Sequence, residues 1–220
     1  MKEISLAIDR IDMGIAHKRN MTKYEREMVA YHETGHLMAL YMLHPTDDVF
    51  KASIISRGDA LGMVLQNPRE ELYTRNKHQL LANIKVSLGG YAAERLKYNT
   101  TSTGTSADLK NCTAQAYAMV WKLGMGDSGF PGDYTVIPEQ QVSEETKMKL
   151  NSEVGGIISA CLSDVEEMLK KEWSIVEEFV GLLLQKEELE YDEIDEVFKK
   201  HGKYIEKNIP YGQSGQSGLI

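Results

Sequence analysis

Apolar positions recur at three- and four-residue intervals along most of this chain and alternate only briefly, which predicts a mainly helical protein. From Thr22 the segment TKYEREMVAYHETGHLMALYML reads as one long helix. Thr22 and Glu25 make a capping box, Val29, His32, Gly35, His36 and Leu40 fall on one stripe, and the helix must stop ahead of Pro45. The pattern then changes character. Val49, Ala52, Ile54 and Ile55 favour a strand, Arg57, Gly58 and Asp59 a turn, and Leu61 to Leu65 a returning strand that Pro68 ends. This is the one convincing strand pair. Helical spacing resumes from Tyr73 to about Leu96, and again over Ala107 to Leu123, Ser143 to Trp173, Ser174 to Gln185 and Tyr191 to Lys200. Gly89 and Gly90 interrupt the first of these, each at a cost of roughly 1 kcal/mol relative to Ala. Their presence inside a helix predicts close approach by another backbone. NTTSTGTSADL and GMGDSGFPGDY read as loops, and the acidic run EELEYDEIDE as a solvated face and helix cap.

The ends are different in kind. The start, MKEISLAIDRIDMG, alternates charged and apolar residues and has no apolar core of a signal peptide or anchor. The segment from about residue 205, with Pro210 and a Gly-Gln-Ser repeat, is expected to be a flexible tail over 205–220. The expected domain is therefore 1–204, with its helical C-terminal part beginning near 143.

Composition narrows the function classes. With 220 residues, 42% hydrophobic and 26% charged, the chain can bury a core and is not intrinsically disordered. No run of about 18 apolar residues could span a bilayer. A net charge of −8 lacks the electrostatic footprint of a nucleic-acid or anionic-membrane binder. Two cysteines, Cys112 and Cys161, are too few for a disulfide framework, which points to a reducing compartment; both read as small buried hydrophobes.

The chemistry lies in His32-Glu33-Thr34-Gly35-His36, an HExxH pattern. Histidines four apart on a helix project from one face, so their ring nitrogens can converge on a tetrahedral Zn2+ with a position left for water. Glu33, beside them, is placed to act as general base toward that water. A third ligand must come from elsewhere. The HExxHxxGxxH extension is absent, since Ala39 and Met42 stand at its positions. Glu94 in GGYAAERL and Asp108 in STGTSADL are both candidates, and spacing does not choose between them. His17, His44, His78 and His201 lie in polar or element-end contexts and are not expected to be ligands.

The blocks DRIDMG, VAYHETGHL, IISRGDALGMVLQNP, LGGYAAERL, TSTGTSADL, AMVWKLGM and VEEFVGLLLQKEELEYDEID occur in this order. In that order the chain resembles the peptidase domain of the FtsH family, ATP-dependent zinc metalloproteases, over roughly residues 7 to 200. The resemblance implies a helical zincin-type peptidase domain with a small β-hairpin at the edge of the active-site cleft. It implies one zinc per chain on His32, His36 and Asp108, with Glu33 as catalytic base and Glu94 behind the ligands as a partner of a ligating histidine. The strand residues Ile54, Ile55, Ser56, Arg57 and Gly58 would border the cleft and bind an extended peptide by β-augmentation. Departures from the family pattern fall at Ser56, Tyr91, Thr105, Cys112 and Thr113, and bear on substrate preference rather than on chemistry.

The resemblance further implies unfolded or flexible polypeptides as substrates and a homo-hexamer as the assembly. No G-x-x-x-x-G-K-[ST] segment is present, so no nucleotide site and no ATPase motor are expected within this chain. The expected location is cytoplasmic, or at a membrane through an N-terminal anchor outside this sequence. The competing reading is a catalytically silent scaffold that oligomerises or captures polypeptides.

Overall fold

The computed structural model describes residues 20–58, 60–68, 73–127 and 131–204. The DRIDMG block, His17, Asp59 of the expected turn and the expected tail from 205 lie outside the described residues.

Helix α1 (Lys23–Leu43) begins with the capping box foreseen from sequence: the Glu25 N–H donates to Thr22 Oγ1 and the Thr22 N–H to Glu25 Oε2. Strands β1 (Asp47–Ser53) and β2 (Met63–Pro68) pair antiparallel, from Asp47 opposite Pro68 to Ser53 opposite Met63. Helix α2 (Lys77–Tyr98) starts four residues after Tyr73 because Asn76 and Gln79 cap it reciprocally. Helix α3 (Ser106–Tyr117) passes into a wider π-helical turn, Ala118–Lys122, which closes with a Leu123 N–H to Ala118 carbonyl bond five residues back. Helix α4 (Glu144–Lys171) is capped by Ser143 and breaks at Glu172, after which α5 (Trp173–Lys186) continues in a new direction. Strand β3 (Glu188–Glu190) and helix α6 (Tyr191–Lys200) complete the chain.

The expected hairpin is thus part of a three-stranded antiparallel sheet in the order β2-β1-β3. The third strand comes from the acidic run read as a solvated face. Leu189 of that run is fully buried, and Glu188 and Glu190 lie 3.3 and 3.4 Å from the ammonium of buried Lys51 on β1. Three residues with one apolar position carry no periodic signal, and these carboxylates earn their place by matching a buried cation.

Two apolar clusters hold the molecule. One gathers α1, β1, β3, α5 and α6, including Leu37, Leu40, Ala52, Phe179, Leu183, Leu189 and Phe198. The other joins α2, α3, the π turn and α4 around Ile84, Leu88, Cys112, Met119, Trp121 and Leu150. Both cysteines are buried there as free thiols. Helices α1 and α2 pack along each other between the clusters, and the metal-binding pattern lies at their crossing.

Candidate metal centre

At the crossing Gly35 of α1 meets Gly89 of α2 backbone to backbone. A Cβ on Gly35 would lie 2.2 Å from the Gly89 carbonyl oxygen, and one on Gly89 would lie 2.4 Å from that of Gly35. Gly90 opens the adjoining space, where a Cβ would stand 2.5 Å from the His32 ring. The glycines suspected from sequence therefore do what helix-interior glycines usually do: they let α2 approach until its groups reach the histidines.

Those groups fix both rings. His32 Nδ1 lies 2.8 Å from Glu94 Oε1, and His36 Nδ1 lies 2.7 Å from the Val86 carbonyl oxygen. A carbonyl only accepts, so the proton of neutral His36 sits on Nδ1 and its Nε2 presents a lone pair. The Glu94 carboxylate selects the same tautomer at His32. The two Nε2 atoms then face one another at 3.0 Å. Asp108, in the first turn of α3, brings Oδ2 to 3.2 Å from His32 Nε2 and 3.5 Å from His36 Nε2.

Once His32 yields its Nε2 proton to an incoming cation, three acceptors converge on one point. A tetrahedral ion with nitrogen and oxygen ligands at about 2.0–2.1 Å separates them by about 3.3 Å, close to these distances. The donor set suits a divalent cation of zinc's kind, and among the described residues His32, His36 and Asp108 form the one such cluster. The site also draws positive charge. Burial would lower the His32 pKa, but hydrogen bonds to Asp108 and Glu94 outweigh it and hold the ring up to about 10. Burial would raise Asp108, yet both histidines pull it well below the carboxylate range.

Glu33 is buried next to the pair, and Gly62, just ahead of β2, lies against its side chain. Burial raises the Glu33 pKa, and the neighbouring histidines only partly offset this. Glu94 is 1% exposed and stays ionised: burial opposes its charge, but hydrogen bonds from His32 and Ser102 prevail.

The segment Ile54–Gly58 lies beyond the end of β1. Ile54, Ser56 and Arg57 are buried, the Ile54 N–H donates to the Glu187 carbonyl, and Arg57 pairs with Ala60 across a tight turn. Since β1 has partners on both sides, the edges of the sheet among the described residues are β2 and β3, and it is β2 that begins beside Glu33. Val86, Ser102 and Gly62 were not singled out from sequence. Val86 acts through its backbone, which leaves no residue signature, whereas a glycine directly before a strand was a usable sign of close approach.

Residues 19–197 match peptidase family M41. The chain belongs to this family. It is 36% identical over 211 residues to the ATP-dependent zinc metalloprotease FtsH of Borreliella burgdorferi (strain ZS7), covering 90% of this chain and 33% of that protein. The FtsH of Veillonella parvula is 34% identical over 214 residues, covering 90% and 33%. That of Chlorobium luteolum is 34% identical over 236 residues, covering 100% and 32%. The chain spans about a third of the length of the curated relatives it matches. No helix among the described residues is long and apolar enough to cross a membrane.

Proposed function

We propose that this M41 chain is a zinc metalloendopeptidase domain, with zinc on His32, His36 and Asp108 and with Glu33 as general base. The observation that carries the reading is the convergence of three acceptor atoms at 3.0, 3.2 and 3.5 Å, with both outer ring nitrogens already committed. When bound, the metal polarises the scissile carbonyl and acidifies a water molecule. Glu33 takes the proton of that water on its carboxylate and later passes it to the departing amine. A buried carboxylate with a raised pKa is a stronger base than an exposed one and suits this exchange. Glu94 and the Val86 carbonyl keep the imidazoles in one tautomer throughout.

The substrate is an extended, flexible polypeptide. Its backbone adds along the open edge of β2, which starts beside Glu33, while Ile54–Gly58 shape the turn that leads into it. In the whole protein the domain, 1–204, acts as the proteolytic part of an ATP-dependent protease, as the names of its FtsH relatives support, and the homo-hexamer implied by the family resemblance is its assembly.

Casein digestion by the wild-type chain and by Glu33→Gln, each with and without a chelator, tests the reading. Wild-type cleavage should disappear with chelator, and Glu33→Gln should keep its zinc while losing at least about a hundredfold in rate. Equal rates in the two proteins, or chelator-resistant cleavage, would overturn it, as would a zinc-loaded wild-type chain that leaves casein intact.

A further inference from the structure

Glu94 is a buried carboxylate, and its charge must be met by hydrogen bonds. Among the described residues no lysine or arginine pairs with it. Its Oε1 takes His32 Nδ1 at 2.8 Å and the Ser102 hydroxyl at 3.0 Å, and its Oε2 takes the Ser102 N–H in a short bond. Ser102 therefore supplies two of three donors.

Every polar atom of Ser102 is engaged. Its Oγ also accepts the Gly104 N–H at 3.2 Å, and its carbonyl accepts the hydroxyl of buried Thr105 at 2.9 Å. These bonds wind residues Thr103–Thr105 into a single 3-10 turn that runs directly into α3, where Asp108 sits in the first turn. One carboxylate on α2 thus touches a ligand from α1 and the loop that delivers the ligand from α3.

We propose that Ser102 is a positioning residue for the metal centre: it locks Glu94 onto His32 and fastens the Asp108-bearing loop to α2. The proposal rests on the zinc-site reading above. Without the hydroxyl, Oε1 keeps only His32 as partner, and the carboxylate can pivot about its one remaining bond to the loop. The tautomer and angle of His32 and the approach of Asp108 then loosen together. Removing an outer partner of a ligating histidine costs 10–100-fold in metal affinity. Ser102 stands one step further out and retains its N–H in any variant, so its loss is expected to cost about 3- to 10-fold.

The test measures Zn2+ and Co2+ affinity of the full chain by competition with a chromogenic chelator, together with the Co2+ visible absorption. Ser102→Ala should weaken both ions about 3- to 10-fold and alter the cobalt spectrum, and Ser102→Thr should restore them. In a Glu94→Ala background, Ser102→Ala should add nothing, because the group it acts through is gone. Wild-type affinity and spectrum in Ser102→Ala, no rescue by Ser102→Thr, or additive losses with Glu94→Ala would each overturn the proposal. A wild-type chain that binds neither ion defeats the zinc reading itself, which separates the two failures.

Discussion

Replacing Gly35 by Ala tests whether the glycine crossing holds α1 against α2 behind the candidate metal centre. An alanine in mid-helix normally gains about 1 kcal/mol over glycine. Here its Cβ would lie 2.2 Å from the Gly89 oxygen, 2.6 Å from the Gly89 carbonyl carbon and 2.8 Å from Ala93 Cβ. Carbon approaches a carbonyl oxygen to about 3.3 Å and another carbon to about 3.5 Å, so α1 and α2 must part by about 1 Å. Two of the obstructing atoms are backbone and cannot rotate away. Forcing a packed interface in this way costs about 1–3 kcal/mol or more, and parting the helices also stretches the bonds of 2.8 and 2.7 Å that hold His32 and His36. With the helix gain deducted, the net expectation is a loss of roughly 1–2 kcal/mol, or a fall in Tm of about 2–8 °C for a domain of this size. Gly156→Ala on α4 is the control, since its Cβ would meet nothing within 4 Å. It should gain about 0.4–1 kcal/mol, with a rise of about 1–4 °C. Scanning calorimetry of the metal-free proteins reads both. The reasoning fails if the two substitutions shift Tm in the same direction, or if Gly35→Ala matches wild type.

Two further outcomes probe the periphery. Ser53 Oγ, Arg57 Nη2 and Lys51 Nζ all converge on Glu188 Oε1, at 3.1, 3.3 and 3.3 Å, so Glu188→Ala should destabilise by about 1–3 kcal/mol in urea unfolding; an unchanged midpoint would deny β3 its role in balancing Lys51. Burial pushes the Cys112 and Cys161 thiols up to about 11, with each other's proximity adding to the rise at Cys112. At pH 8 this cuts the thiolate fraction roughly two-hundredfold against a free cysteine, so iodoacetamide should label the native chain far more slowly than the urea-unfolded one, and faster as pH rises toward 11. Equal labelling of the two forms by mass spectrometry would contradict the burial.

What could be read from the chain follows from how each feature is encoded. Helix α1, its Thr22 cap and the ends of α6 were legible because periodicity and capping are local properties. The histidine pair was legible for the same reason, since one helix supplies both spacing and direction. Strand β3 was not, because its partners, among them Lys51 and Arg57, lie more than 130 residues earlier in the chain. The start of α2 at Lys77 instead of Tyr73 reflects Asn76 capping Gln79, while Tyr73 is 94% exposed and belongs to the approach. The choice between Glu94 and Asp108 could not be made from spacing, because both lie on helices whose relative placement is tertiary.

That choice also has a physical logic in the fold. On α1, His32 and His36 flank Gly35; on α2, Glu94 and Val86 flank Gly89; and the two glycines touch. Two helices running antiparallel past this point put His36 opposite Val86 and His32 opposite Glu94. The acceptor behind each histidine is therefore a consequence of the crossing, and Glu94 reaches Nδ1 because it lies on the helix that carries the crossing glycine. Asp108 comes from a third element and meets the opposite ring nitrogens. The candidate centre consequently has two parts of different origin: a histidine pair clamped by the main helix crossing, and a carboxylate brought in by the loop ahead of α3. Substitutions at the crossing, Gly35→Ala among them, should disturb stability and metal binding together. Substitutions in the loop, at Ser102 or Thr105, should act on the metal with little effect on the rest of the fold, because the core clusters do not depend on that turn.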